Sequence, residues 1–330
     1  MKKLLALFVV AAAAQAATDD AARCDLAGAS FLDPQRPADV AFRYFHPVYA
    51  DIAAVHADVE ACQRAYDSSK DARYLYQAGN IYASYYLTEQ MQQRLRRNDG
   101  EDKKGALLGA ELFARGYYQR AAKANYLAAR YEVARAASFA HFASMSSRQA
   151  DAVNDGEEAL KALLAEAPLL AHLGLGQLHV MRGALENHAE QALQHFDEAT
   201  KHYHEAVALN ADVAYLLLST MTTANYPQWL APLTQAVDKQ PNPANQSALA
   251  LLLYQQGKAA EGDQVFAALQ AQAATNSDAQ TACDFVLGLR KLHGWATEKD
   301  EAAALPLLHK AAQGGYPGAA ILLSGLEAAR

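Results

Sequence analysis

The sequence predicts an all-α fold, an α-α superhelix in the form of an irregular solenoid of helical hairpins, and three observations predict it. Hydrophobic residues make up 52% of the 330, much of it alanine, with only ten prolines. Such a composition favours helices whose axes approach closely, since alanine has the best helix propensity. Apolar residues recur at helical spacing between Gly- and Asn-marked turns, and no long alternating Val/Ile/Thr run suggests a sheet. Finally, Phe285 to Ser324 alternates short helices with glycine turns, and hairpins of that size bury their apolar faces only against stacked neighbours.

Taken in order, 1–17 reads as a secretory signal peptide. Lys2-Lys3 is its basic start, Leu4 to Ala14 its apolar core, and Ala14-Gln15-Ala16 a small-x-small cleavage site. That core falls short of the ~20 residues a membrane-spanning helix needs. Ala21-Ala22-Arg23 ahead of Cys24 is not a lipid-attachment box, and with Lys2-Lys3 and so short an apolar core a Gram-negative periplasm is the expected destination, without stable membrane insertion. Residues 18–50 look irregular, punctuated by Pro34, Pro37 and Pro47. The solenoid is expected over 51–330. Asp51 opens a helix carrying Ile52, Val55, Val59 and Cys62, and a second runs from about Asp71 to Leu95. Asn98-Asp99-Gly100 breaks the chain before a helix from Lys104 to Lys123. Further helices are expected at 126–144, 157–165, 169–182, 189–209, 228–239, 244–256 and 259–274, with Pro243 suited to a first helical turn.

In the terminal stretch, Gly294 ends one helix, Asp300 caps the next, and Gly314-Gly315 closes it behind Ala304, Leu307, Leu308, Ala311 and Ala312. The pattern Leu287-Gly288, Gly294, Asp300, Ala304, Ala311-Ala312, Gly315, Ala319, Leu323 resembles one unit of the Sel-one-like repeat, a relative of the tetratricopeptide repeat. Gly288 and Ser324 stand at equivalent positions 36 residues apart, although Ser324 replaces a glycine and Cys283 an alanine. Arg120 to Ala129 sets beside Lys310 to Ala319 without a gap, with Asn125 at the turn, and is a degenerate copy. Tyr203 to Asn210 is similar to the second helix of a tetratricopeptide repeat. The resemblance implies a scaffold or adaptor for other proteins. A weaker one covers 105–240: a long helix, Ala167-Pro168, Leu173 to Gly176 and Ala192 to Phe196 are similar to the TRAP transporter T-component. That family implies a periplasmic small-molecule binding or transport accessory protein.

The residues themselves exclude some chemistry. A net charge of −7 provides no basic stripe for nucleic acid. No P-loop, G-x-S-x-G or H-E-x-x-H motif occurs, so neither an enzyme nor a cofactor is expected. His195, Glu198 and His202 share a helical face and are the weak metal candidates. Two turns, ~10 Å, separate the histidines, however, and a single ion needs a third partner from another helix. Solvated or packing histidines are the plainer use, and no metal is expected. Tyrosines cluster between Tyr74 and Tyr131 and suit either a solenoid core or a binding surface. If a concave groove exists, Tyr82, Tyr86, Arg115, Tyr118 and Arg130 are expected on or near it, facing a protein or peptide partner. Cys24, Cys62 and Cys283 allow three pairings. In an oxidising compartment Cys24–Cys62 is the pairing that ties the N-terminal segment to the first long helix.

Overall fold

The computed structural model describes residues 18–45, 49, 51–95, 102–144, 150–220 and 226–316, with 318, 319, 322, 323 and 326 beyond them. The expected signal peptide lies outside these residues. Every regular element described is helical, and the β contact described is an isolated bridge between Ser30 and Arg43. No helix among the described residues is long and apolar enough to cross a membrane. The chain divides into two compact units, Met1–Val133 and Ala134–Arg330.

In the first unit α1 covers 18–28, followed by α2 (Ile52–Ser69), α3 (Ala72–Leu95) and α4 (Asp102–Lys123), with α3 packed on both α2 and α4. Asp51 caps α2, its Oδ1 accepting from Ala54 N at 2.8 Å. Asn125 takes the left-handed turn after α4, at φ 60°, and α5 (Leu127–Ser144) begins there. A Cβ on Gly79 would stand 2.5 Å from the Tyr118 ring, so only glycine lets α3 and α4 meet at that ring.

The helix α1 corrects the expectation of an irregular 18–50. Its apolar signal is faint, and Leu26 is 69% exposed. Covalent and ionic contacts hold it instead: the Cys24–Cys62 disulfide, Arg64 on Asp20 at 2.9 Å, and Arg23 on Asp58 at 2.7 Å. Hydrophobic periodicity cannot report contacts of that kind.

In the second unit α6 (Ala150–Ala162) and a short 3-10 turn lead to α7 (Pro168–Leu185) and α8 (Ala189–Leu209). A 3-10 run, Ala211–Thr220, then precedes α9 (Tyr226–Lys239), α10 (Pro243–Gln255), α11 (Ala259–Ala273), α12 (Ser277–His293) and α13 (Glu301–Gln313). Neighbours pair as α7 with α8, α10 with α11 and α12 with α13, while α10 also meets α12, α9 and the 3-10 run. Such contact between every second helix is how stacked hairpins share a core. α10 is buried from Pro243 to Tyr254, which removes any amphipathic signature from it. Its polar side chains are satisfied. Asn242 Nδ2 donates to Asp212 Oδ1 at 2.9 Å, Asn245 Nδ2 to Ala211 O at 2.7 Å, and Ser247 Oγ lies 2.8 Å from the Tyr316 hydroxyl.

The terminal hairpin has the expected helix ends. Gly294 ends α12 at φ 74°, and Asp300 Oδ1 accepts from Ala303 N at 2.9 Å to cap α13. Gly288 faces Leu308, which a Cβ would approach to 2.7 Å. The Leu-Gly pair of the sequence pattern is therefore a close helix contact.

Candidate functional site

Two places hold the residues singled out from the sequence. The first is a face of the first unit where α2, α3 and α4 come together. Phe113 and Tyr117 are four apart on α4, and so share a side of that helix. Both stack on Tyr82 of α3, with ring centroids 5.3 and 5.9 Å away, and His56 of α2 meets Tyr82 edge-on at 6.1 Å. Arg120, one turn further along, lies over Tyr117 at 5.2 Å and over Tyr66 of α2 at 5.8 Å. Leu112 and Phe113 remain 57% and 56% exposed. Burial pushes the Tyr82 and Tyr117 hydroxyls up from their ordinary range, so both stay protonated donors.

Of the expected surface residues, Tyr82 lies on this face. Tyr82 is buried but forms its floor, and Tyr86 is half-buried. Arg115 is exposed and paired with Glu111 at 2.8 Å, and Arg130 is half-buried and donates to Asn125 Oδ1 at 3.1 Å. Tyr118 is corrected: it is buried, and its hydroxyl donates to Asn80 Oδ1 at 2.9 Å, so it belongs to the core. Sequence reasoning misses Leu112, Phe113 and Arg120, although the four-residue offset from Phe113 to Tyr117 is visible in it.

The polar side of α3 is already occupied by the chain itself. Gln77 Nε2 donates to Asp25 Oδ1 at 2.8 Å, and Asn80 Nδ2 donates to Gly28 O at 2.8 Å. Further along, Tyr126 donates to Asp33 Oδ2 at 2.5 Å and Leu127 N to Gln35 Oε1 at 2.6 Å. Residues 24–28 thus lie along this side and 33–35 reach the start of α5, an internal ligand tethered by Cys24–Cys62. Burial raises the Asp25 and Asp33 carboxyls above their usual range in spite of these donors.

The second place is the α7–α8 seam. His195 and His202 of α8 meet two histidines of α7 that sequence spacing on one helix does not reveal. His172 Nδ1 lies 3.0 Å from His202 Nδ1, and His179 Nδ1 lies 3.3 Å from His195 Nδ1. The His179 and His202 rings stack between these rungs at 5.8 Å. Glu198 pairs with Lys201 at 2.5 Å. Among the described residues no three His, Cys, Asp or Glu side chains are placed to share a metal ion. Burial, then neighbouring Arg182 and the other imidazoles, take His179 down to about 4. His172 is lowered by burial, and His202 by burial and by His172. Cys283 is a buried thiol, pushed up to about 11 by burial and by Asp284, which suits packing and not nucleophilic attack.

No family model matches this sequence, and no curated protein matches it. Among solved structures, a thermophilic TPR protein of Thermus thermophilus is similar to it at 23% identity, over 60% of this chain and 98% of that one, with a TM-score of 0.41.

Proposed function

We propose that this chain is an exported, periplasmic adaptor of tetratricopeptide and Sel-one-like helical units, with no catalytic role, that docks a protein partner on the aromatic face of α2, α3 and α4. The observation that carries this reading is the exposed Phe113, stacked on Tyr82 beside Tyr117 and Arg120, with exposed Leu112 next to it in the chain. Aromatic rings and arginine are the residue types that dominate protein interfaces, because they offer large contact areas at small entropic cost. The floor rings already pack on one another, which limits the ordering cost of binding. An open aromatic face serves a macromolecule and not an enclosed small ligand, and this favours the adaptor over the transport-accessory reading. The Cys24–Cys62 bond supports export, since such bonds persist in oxidising compartments.

A photo-crosslinking amino acid at Gly116, where a side chain would meet open space, in cells producing the chain with its leader, tests the surface. Discrete adducts are expected at Gly116, and they should be lost when L112S/F113S is added. A smear, no adduct, or adducts indifferent to the double change would sink the proposal.

A further inference from the structure

We propose that the α7–α8 seam is a proton-operated latch, in which a four-imidazole ladder holds the hairpin closed while its rings are neutral and loosens it in mild acid. The pattern begins in the sequence. His172 and His179 are seven apart on α7, and His195 and His202 are seven apart on α8, so each pair lies on one side of its helix two turns apart. The helices run antiparallel, and the rungs form accordingly, His172 to His202 and His179 to His195.

The chemistry follows from those rungs. A neutral imidazole has one N–H and one lone pair, so an Nδ1–Nδ1 contact is a hydrogen bond when one ring donates and the other accepts. If both rings of a rung take up a proton, two N–H groups and two positive charges face each other across 3.0 or 3.3 Å. The stacked His179 and His202 would then set cation on cation. The seam has little slack to relieve this. A Cβ on Gly176 would stand 2.7 Å from the Tyr203 ring, and one on Gly183 would stand 3.1 Å from Phe196. Charged rungs therefore work against the closed seam.

The surrounding charges do not cancel the effect. From α6, Glu157 faces His179 and His202, but it is tied to Arg182 at 2.5 Å and to Lys161 at 3.1 Å. From α7, Arg182 opposes protonation of His179. On α8, Glu198 and Glu205 favour charged imidazoles, yet Glu198 is paired with Lys201 and Glu205 is exposed. From the 3-10 run packed on α8, Asp212 directs its carboxylate to Asn242 and Gln240. Burial wins, and three of the four rings are held neutral below the ordinary histidine range.

Hydrogen exchange with mass spectrometry on the full chain tests the latch at about pH 7.5 and about pH 5, corrected for intrinsic exchange. Protection across 168–209 should fall roughly tenfold more than across α10 to α12 in acid, and H179Q/H202Q should abolish the excess. Equal loss everywhere, or the same excess in the variant, overturns the proposal. Should the variant not fold, the wild-type imidazole Cε1 proton resonances decide: His179 titrating at or above 6.5 overturns it, and clearly below supports it. Protection gained on adding Zn2+ at neutral pH by the wild type alone would assign the ladder to a metal, and overturn it too.

Discussion

In the first unit the large buried side chains of α3 to α5 are mainly tyrosines, among them Tyr74, Tyr76, Tyr82, Tyr85, Tyr118, Tyr126 and Tyr131, whereas the second unit buries leucines such as Leu160, Leu170, Leu173, Leu178, Leu233 and Leu252. A buried tyrosine brings a hydroxyl that needs a partner, and here Asn80 and Asp33 supply one for Tyr118 and Tyr126. Those partners in turn tie the first unit to its N-terminal segment and to a disulfide. Leucine side chains need no such partners and stabilise through burial and close packing. The first unit is therefore held by specific bonds that can be cut singly, and the second by contacts spread over many side chains.

Cutting the bond that spans 38 residues should have the largest effect. C24S/C62S is expected to lower the stability of the first unit by about 4 kcal/mol in the chain-entropy account, read by exchange of α2 and α3 amides. Both tryptophans, Trp229 and Trp295, lie in the second unit, so their fluorescence transition should hardly move. L252A reverses the pattern: about 3 kcal/mol lost from the second unit by fluorescence, with α2 and α3 unaffected. Y126F removes the donor to Asp33, itself only 6% exposed, and should cost about 2 kcal/mol in the first unit.

Acid sharpens the contrast through sign. The half-buried Asp25 and the buried Asp33 have raised folded pKa values, so their contribution is fully present below the ordinary carboxylate value of 3.8 and lost as pH rises through the raised values. The seam histidines are lowered, His179 to about 4, so their contribution is present above 6.5 and lost as pH falls toward the folded values. Between those limits, acidification should weaken the α7–α8 hairpin while these two carboxyls favour the first unit, and D25N/D33N should erase their share of the difference. The smallest change is expected from F113A, under about 0.5 kcal/mol, because that ring is already 56% exposed. A larger loss by thermal denaturation would mark Phe113 as a core residue and not a docking residue.

Much of the helical plan is legible because it is written in spacing. α8, expected at 189–209, spans Ala189–Leu209, and the caps at Asp51 and Asp300 and the left-handed Asn125 stand where their chemistry places them. What spacing does not show depends on contacts far apart in the chain. α1 is held by Cys62, Arg64 and Asp58, none of which leaves a periodic trace in 18–28. The histidines of α8 look two turns apart and unpartnered in the sequence, since their partners sit on α7, 30 residues away for His172 and 16 for His179. Tyr118 reads as a surface residue because type alone does not distinguish a ring over Gly79 from one facing solvent.

The internal ligand along α3 bears on how the molecule can be shortened. A version beginning at the apparent start of the repeats, near residue 51, would strip Gln77 and Asn80 of the carboxylate and carbonyl they bond and leave the Cys62 thiol single. Such a fragment would bare a polar trough that the intact protein never shows to solvent, and any peptide it captured there would report on the deletion. Binding experiments with trimmed versions should keep everything from Thr18 onward.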